Sequence, residues 1–334
     1  MAARETPRES AIETRTVGSR ARALLVTQEI VLLIITIAAV LLLSTGSDKF
    51  LTVNNILNQG RLLTEVGLVA LPMTFIIITG GIDLSVGSIF GLAAVVLGYT
   101  WKNMGFPLEL AIVAALLVGT LAGFINGIFI VRVGVPPLIM TLATLALYRG
   151  LAEGISQAHS ARGYPDWFFQ LGQGEFLDVP TQLWILVIAT IIAAIILSRT
   201  VFGRSLYAIG SNELASRFSG ISVGLYKVLI YTFSGFMAAL AGYIFVSRVS
   251  TTRSDMGTGL ELDVIAAVVL GGTSIFGGTG SIVGTVIGVI LIQLLQNGLS
   301  LTGVTGDSTI VVIGLVLILS ILVNNFIQRR RSGD

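Results

Sequence analysis

Charge is missing from this chain in long blocks. Uncharged runs cover Ile30–Ser47, Val66–Ile82, Leu84–Trp101, Leu110–Val131, Val133–Tyr148, Val179–Ser198, Val228–Ser247, Val264–Gly306 and Ser308–Gln328. A helix rises ~1.5 Å per residue, so about 20 residues cross a ~30 Å hydrocarbon core. Most of these runs approach that length. A helix packed in a soluble core would keep a polar face, and these runs have none. Only 11% of the 334 residues are charged, against about a quarter in soluble domains. The chain is therefore expected to be an all-α polytopic membrane protein.

Several chemistries are excluded early. There is no cysteine, so disulfides and thiolate metal sites are out, and the one histidine, His159, removes multi-histidine centres and any Ser/His pair elsewhere. No metal or cofactor is expected in this chain. The net charge of +2 comes without a basic stripe interleaved with aromatics, so no nucleic-acid partner is expected. No G-x4-G-K-[ST] loop is present to cradle a nucleoside triphosphate. The spans also lack the series of carboxylates or histidines that a proton-coupled carrier needs. Energy, if used, must come from a partner.

Arginines set the orientation, because short cytoplasmic loops carry them. Residues 1–23, rich in Arg and Glu, read as a disordered cytoplasmic tail. Ala23–Leu43 is apolar apart from Glu29 and a few uncharged polar residues. It is too long for a signal-peptide core and reads as an uncleaved first span. The C-terminal Arg329, Arg330 and Arg331 (tail 329–334) belong inside, as does the segment 199–227 with Arg199, Arg204, Arg217 and Lys227. The acidic loop 153–178 belongs outside. Ten spans satisfy this within a transmembrane domain of 24–328: 24–44, 63–79, 85–103, 108–130, 137–152, 182–198, 226–247, 263–276, 281–299 and 308–326. Arg248 and Arg253 run against the assignment, partly offset by Asp255, Glu261 and Asp263. The run Val264–Gly306 must hold two spans, with the glycine cluster Gly271–Ser281 supplying the reversal.

Three local patterns stand out. Gly119, Gly123 and Gly127 fall on one face of the fourth span and predict a close helix crossing. In GGIDLSVG, Asp83 sits among glycines between the second and third spans. Either Asp83 or Ser85 caps the third span at or just inside the membrane edge, or a broken helix lines a water-filled cavity. In both cases Asp83 is expected to avoid lipid and to accept the N–H groups of residues 85 and 86. A weak echo at Gly277–Gly288 is either an internal repeat or a second, similar glycine turn. Within Arg199–Lys227, Ser211 and Asn212 are N-cap candidates, Glu213 favours the first turn, and Gly220 ends the helix. A two-turn helix, Ser211–Gly220, is expected to lie on the membrane surface and to dock a partner, unless it is simply a capped surface loop. Leu214, Ala215 and Phe218 would seat in a groove, and Glu213 would pair with Arg217.

GGIDLSVGS, GRSLYAIGSNELASRFSGI and ELDVIAAVVLGGTSIFGGTGSIVGT, in this order, resemble the permease subunits of bacterial ABC importers for monosaccharides, the ribose, xylose, rhamnose and autoinducer-2 branch. The resemblance covers roughly 30–328. It implies about ten transmembrane helices in a type II-importer-like permease, set as a multi-pass protein in the inner membrane with both termini cytoplasmic. It also implies a second permease copy or homologous permease, cytoplasmic ABC ATPase subunits that hold ATP and magnesium, and a periplasmic sugar-binding protein. Ser211–Gly220 would be the coupling helix. Against the family's E-A-A-x3-G pattern, Leu214 stands at the Glu position, Ala215 and Gly220 keep theirs, and Ser216 replaces the second Ala. The segments LATLALYRGLAEGIS and GYPDWFFQLGQGEF look most like rhamnose-type permeases, with autoinducer-2 permeases next. Small and polar residues of the broken segments, Asp83, Ser85, Ser88, Thr273, Ser274 and Ser281, are candidates to line a path along the dimer axis. Two rivals remain on sequence grounds: an ion-coupled secondary transporter, which would work without an ATPase, and an intramembrane enzyme, which would need a nucleophile–base pair.

Overall fold

The computed structural model describes residues 28–304 together with 308, 311, 314 and 315. The expected tails 1–23 and 329–334, and the tenth span apart from those four residues, lie outside the described residues. The helices are α1 (Gln28–Gly46), α2 (Val53–Ile78), α3 (Val86–Lys102), α4 (Leu108–Ile128), α5 (Pro137–Ser156), α6 (Thr181–Arg199), α7 (Val201–Ser211), α8 (Glu213–Phe218), α9 (Val223–Val249), α10 (Leu260–Leu270) and α11 (Ile282–Leu301). A small antiparallel hairpin, β1 (Glu175–Phe176) with β2 (Val179–Pro180), precedes α6. Among the described residues, seven helices are long and apolar enough to cross a membrane: α1, α2, α4 with its following π turn, α5, α6, α9 and α11.

Two expected spans, the second and the eighth, need correction, while the third falls where it was placed, at 85–103. The second, placed at 63–79, is the 26-residue α2. Its first turns look too polar to cross, but Asn55 exchanges hydrogen bonds with Asn297 (2.9 and 3.1 Å) and Gln59 accepts one from Gln293 (3.2 Å), both on α11. The third is the 17-residue α3, ~25 Å long. The eighth, placed at 263–276, is α10, of 11 residues and ~16 Å, which spans half a bilayer. Gly257 and Gly259 adopt positive φ (72° and 83°) and keep the chain before α10 irregular. On the other side of α10, Gly272, Gly277 and Gly278 do the same, so the expected glycine reversal is present.

Connections gather at two ends of the bundle. At one, Trp101, Tyr164 and Phe168 stack with centroids 4.4 and 4.5 Å apart, Phe168 meets Tyr243, and Arg162 bridges to Thr251. At the other, the Ser281 hydroxyl reaches Glu29 (3.1 Å), the Gly278 N–H donates to the Ile78 carbonyl (2.9 Å), and the Tyr207 hydroxyl donates to the Gly280 carbonyl (2.7 Å). The first end also resolves the two discordant arginines. Arg248 forms a bidentate pair with Glu65 of α2 (2.7 and 3.1 Å), and Arg253 pairs with Asp255. Neither is a free positive charge.

The glycine seam of α4 packs on α9. A Cβ on Gly123 would enter the Tyr231 carbonyl, and one on Gly235 would enter the backbone of Gly119 and Gly123, so the two backbones touch directly. Gly123→Val should therefore cost at least about 1–3 kcal/mol through overpacking. It is expected to lower the thermal midpoint in detergent and the yield of folded protein. Gly154→Ala, on α5 with open space around it, should leave both unchanged.

Candidate functional site

Asp83 is 0% exposed. After α2 ends, Gly80 at φ 78° turns the chain, and residues 80–85 run without regular structure up to α3. Asp83 Oδ1 accepts from the Ser85 N–H (3.0 Å) and the Ser85 hydroxyl (2.6 Å), while Oδ2 accepts from the Ser234 hydroxyl on α9 (3.0 Å). The expected bond from the N–H of residue 86 is replaced. Ser85 already sits in the helical region (φ −80°, ψ −9°), and its hydroxyl folds back onto Oδ1. Around this core, Asn126 of α4 donates to the Ser85 hydroxyl (2.8 Å), the Ser88 hydroxyl donates to the Ser85 carbonyl (2.8 Å), and Thr141 of α5 donates to the Ile82 carbonyl (3.1 Å).

The level of the cluster follows from the helices around it. Asn126 lies two residues from the end of α4, Thr141 four residues after the start of α5 and Asp83 five residues beyond α2, while Ser234 lies eleven residues, ~16 Å, into α9. The cluster therefore sits toward the α8 end of the bundle, where Gly127 packs on Val228, and α3 runs from there toward the other end. Helix α10 begins beside it. The segment before α10 follows α3 from Gly98, which packs on Thr252, past Gly91, which packs on Met256, to Gly87, which packs on Gly257 and Glu261. Arg149 of α5 holds this segment through the carbonyls of Ser254 (2.8 Å) and Met256 (2.7 Å). The N-termini of α3 and α10 therefore meet and the helices run away from each other. Irregular backbone survives within a bilayer only inside protein or against a polar cavity. Among the described residues, Asn126 Oδ1, the Tyr231 hydroxyl, Glu261 Oε2 and the Thr273 hydroxyl are buried without a hydrogen-bond partner.

The six residues expected along a path fall into two groups. Asp83, Ser85 and Ser88 belong to the buried cluster. Thr273, Ser274 and Ser281 belong to the α10–α11 turn, where the Ser281 hydroxyl caps α11 by accepting from Gly284 (3.0 Å). Sequence reasoning missed Ser234, Asn126 and Tyr231. Ser234 and Tyr231 lie on α9 among other hydroxyl residues such as Thr232 and Ser247, and Asn126 lies beside Gly127 of the seam already singled out.

A second site occupies the segment 199–227. It holds two helices where one was expected. Thr200 caps α7 by accepting from Gly203 (3.2 Å), so Ser211 ends α7 rather than starting the next helix. Asn212 is the N-cap of α8, accepting from the Ala215 N–H (2.9 Å), and Gly220 follows at φ 84°. Leu214 (64% exposed) and Phe218 (84%) project outward, with Ala215 exposed beside them. Glu213 binds Arg217 (2.6 Å), as expected, and also Lys227 of α9 (2.6 Å). Burial pushes the Glu213 carboxyl up, but hydrogen bonds and charges from Lys227 and Arg217 outweigh it and hold the group below the usual carboxylate value.

Two predictions follow from these contacts. Asp83→Asn keeps an acceptor for Ser85 and offers a donor to Ser234, so protein level and thermal midpoint should stay near wild type. Asp83→Leu strands the Ser85 N–H and the Ser85 and Ser234 hydroxyls at about 1–3 kcal/mol per orphaned group, so folded protein recovered from membranes should collapse. For Glu213, a depressed carboxyl stabilises the fold above its ordinary titration range, and that contribution is lost as pH falls through the lowered value. Amide exchange of residues 213–220 should therefore stay slow through the usual carboxylate range and accelerate only in stronger acid. Glu213→Gln should remove that pH step.

The family model for the branched-chain amino acid transport system / permease component matches residues 55–321. The ribose import permease protein RbsC of Escherichia coli K12 is 38% identical over 321 residues, 93% of this chain and 98% of its own. RbsC of Bacillus subtilis is 43% identical over 262 residues, 78% of this chain and 81% of its own. The autoinducer 2 import system permease protein LsrD of Yersinia enterocolitica is 35% identical over 317 residues, 89% and 96% of the two chains. No solved structure matches the chain. With most of its length matched by the family model and by full-length relatives, the chain belongs to the branched-chain amino acid transport system / permease component family.

Proposed function

We propose that this chain is the transmembrane pore subunit of an ATP-driven importer for a monosaccharide of the ribose, rhamnose or autoinducer-2 type. The observation that carries the reading is the meeting of α3 and α10, N-terminus to N-terminus inside the bundle, with Asn126 Oδ1, the Tyr231 hydroxyl and Glu261 Oε2 buried and unpaired beside them. That arrangement suits a chain whose relatives are named import permeases over almost its full length. Sugar hydroxyls both donate and accept, so a transient opening would satisfy Asn126, Tyr231 and Thr273 in turn. A path must also let its solute leave, so contacts stay weak and few. In this reading Asp83, Ser85, Ser88, Thr273, Ser274 and Ser281 border the path at the axis of a dimer formed with a second or homologous permease. A periplasmic binding protein delivers the sugar.

Ten spans in the inner membrane, with both termini cytoplasmic, put the Arg199–Lys227 segment on the side of the ATPase subunits. ATP and magnesium stay on those subunits. The coupling element is Ser211, Asn212, Glu213, Leu214, Ala215, Arg217, Phe218 and Gly220. Its exposed Leu214 and Phe218 seat in the ATPase, and Glu213 fixes it to α9.

The test is sugar uptake in proteoliposomes holding this chain, its ATPase and its binding protein. Uptake should require ATP and all three components. Gly220→Pro or Ala215→Arg should leave the permease in the membrane while uptake falls by roughly tenfold or more and less ATPase co-purifies. Uptake by the chain alone, driven by an ion gradient, would overturn the reading in favour of a secondary carrier. So would micromolar sugar binding to the isolated chain by calorimetry, as far as the weak path is concerned.

A further inference from the structure

Phe276 is 90% exposed at the tip of the α10–α11 turn. The turn that presents it is closely tied. The Ser274 N–H donates to the Thr279 carbonyl (3.0 Å), the Gly277 N–H to the Ser274 carbonyl (2.9 Å), and the Phe276 N–H to the Ser274 hydroxyl (3.3 Å). Gly277 and Gly278 hold φ of 87° and 77°, which other residues rarely adopt. The turn is also fastened to the bundle, through Gly278 to Ile78 and through Gly280 to Tyr207 of α7. Gly278 packs against Ser211, the residue preceding Asn212, the cap of α8. A rigid aromatic tip and the exposed Leu214 and Phe218 thus share one end of the bundle, joined through Ser211 and Asn212.

On the reading of residues 199–227 as cytoplasmic, that end lies on the cytoplasmic side. Helix α9, with 27 residues, is ~40 Å long against a ~30 Å core, and Lys227, which ties α8 to it, lies in its first turns. A rigidly held, exposed phenyl ring at the same end as two more exposed apolar residues marks a surface that another molecule covers. The size of α8 says how much must be covered. Six residues make a helix of ~9 Å, far short of the ~800 Å² per partner of a stable interface, so a partner docked on α8 must reach its neighbours. Phe276, a large apolar residue 90% exposed, stands two residues before Gly278, which packs on Ser211 beside the α8 cap. Charge agrees: residues 199–227 carry Arg199, Arg204, Arg217 and Lys227 against the single acid Glu213, which suits an acidic rim on the partner.

We propose that Phe276 is a second anchor for the cytoplasmic ATPase subunit, seated in it alongside α8. The proposal rests on the reading of α8 as the docking helix, and it adds the α10–α11 turn to the surface that receives the ATPase. The turn leads directly into Ser281 and α11, so the ATPase would hold the chain at both the α7–α8 and the α10–α11 connections.

The chain has no cysteine, so Phe276→Cys supplies a single thiol for a photoreactive maleimide in the reconstituted complex of permease, ATPase and binding protein. The expected result is a cross-link from position 276 to the ATPase, identified by mass spectrometry, with Phe218→Cys cross-linking to the same subunit. Phe276→Ser should reduce ATPase co-purification roughly tenfold at unchanged permease level, and Phe276→Leu should restore it. Cross-linking of position 276 to lipid or to a second permease copy, with full ATPase recovery in Phe276→Ser, would overturn the proposal. If position 218 links to the ATPase and position 276 does not, the second anchor fails and docking on α8 stands. If neither links, both fail.

Discussion

Hydrocarbon offers backbone amides nothing to bind, so each N–H and C=O inside the bilayer must find a partner in the protein. Most of this chain answers with long continuous helices. Among the described residues, 80–85 and the segment leading into α10 leave the helix inside the bundle. Both breaks are closed by side chains from neighbouring helices. Asp83 takes the Ser85 N–H, Thr141 takes the Ile82 carbonyl, and Arg149 takes the carbonyls of Ser254 and Met256. Asp83, Ser85, Ser88, Asn126, Thr141 and Ser234, all buried, gather at the first break because that is where the backbone needs them.

Asp83 shows how such a group is tolerated. A carboxylate facing acyl chains costs roughly 2.5–3.5 kcal/mol or more. Here both oxygens are occupied by hydroxyl and amide donors from the start of α3 and from α9, and the whole residue is out of reach of lipid. The same residues hold the N-terminus of α3 against α9 and α4, so the carboxylate sets the position of α3 as well as taking the Ser85 N–H. The glycine seam makes this possible. Because Gly119, Gly123 and Gly235 let α4 and α9 touch backbone to backbone, Asn126 and Ser234 come close enough to share one cluster.

What was legible in the sequence follows the range of the physics. Uncharged runs report burial in lipid residue by residue, so the long helices were visible. The α8 caps act within three residues, so Asn212, Glu213 and Gly220 were visible too. The oddity of Asp83 was plain, but its partner was not, because Ser234 is one serine among many and lies 151 residues away. Hydropathy counts apolar residues and ignores φ, so the half-length of α10 was hidden behind Gly257 and Gly259. Arg248 counted as a discordant charge for the same reason: its Glu65 partner is 183 residues distant, and charge rules treat the two separately. The extra helix α7 escaped because its cap, Thr200, follows directly on the end of α6.

These attachments converge on α9. Near its start Lys227 holds Glu213 of α8, near its middle Ser234 holds Asp83, and in its last turn Arg248 holds Glu65 of α2. A 27-residue helix with glycines at 224, 235 and 242 invites the idea of a hinge, but each glycine is filled by a neighbour: Val131 at the first, Gly119 and Gly123 at the second, Phe90 at the third. There is no proline in it. Glycines that weaken a helix in open space here admit another backbone, and the close contact offsets the freedom they bring. The exposed helix α8, the buried carboxylate and the ion pair at the far end are therefore joined by one uninterrupted strut. With no soft joint in α9, α8 and the start of α3 are held in a fixed relation unless the Lys227–Glu213 or Ser234–Asp83 contact itself gives way.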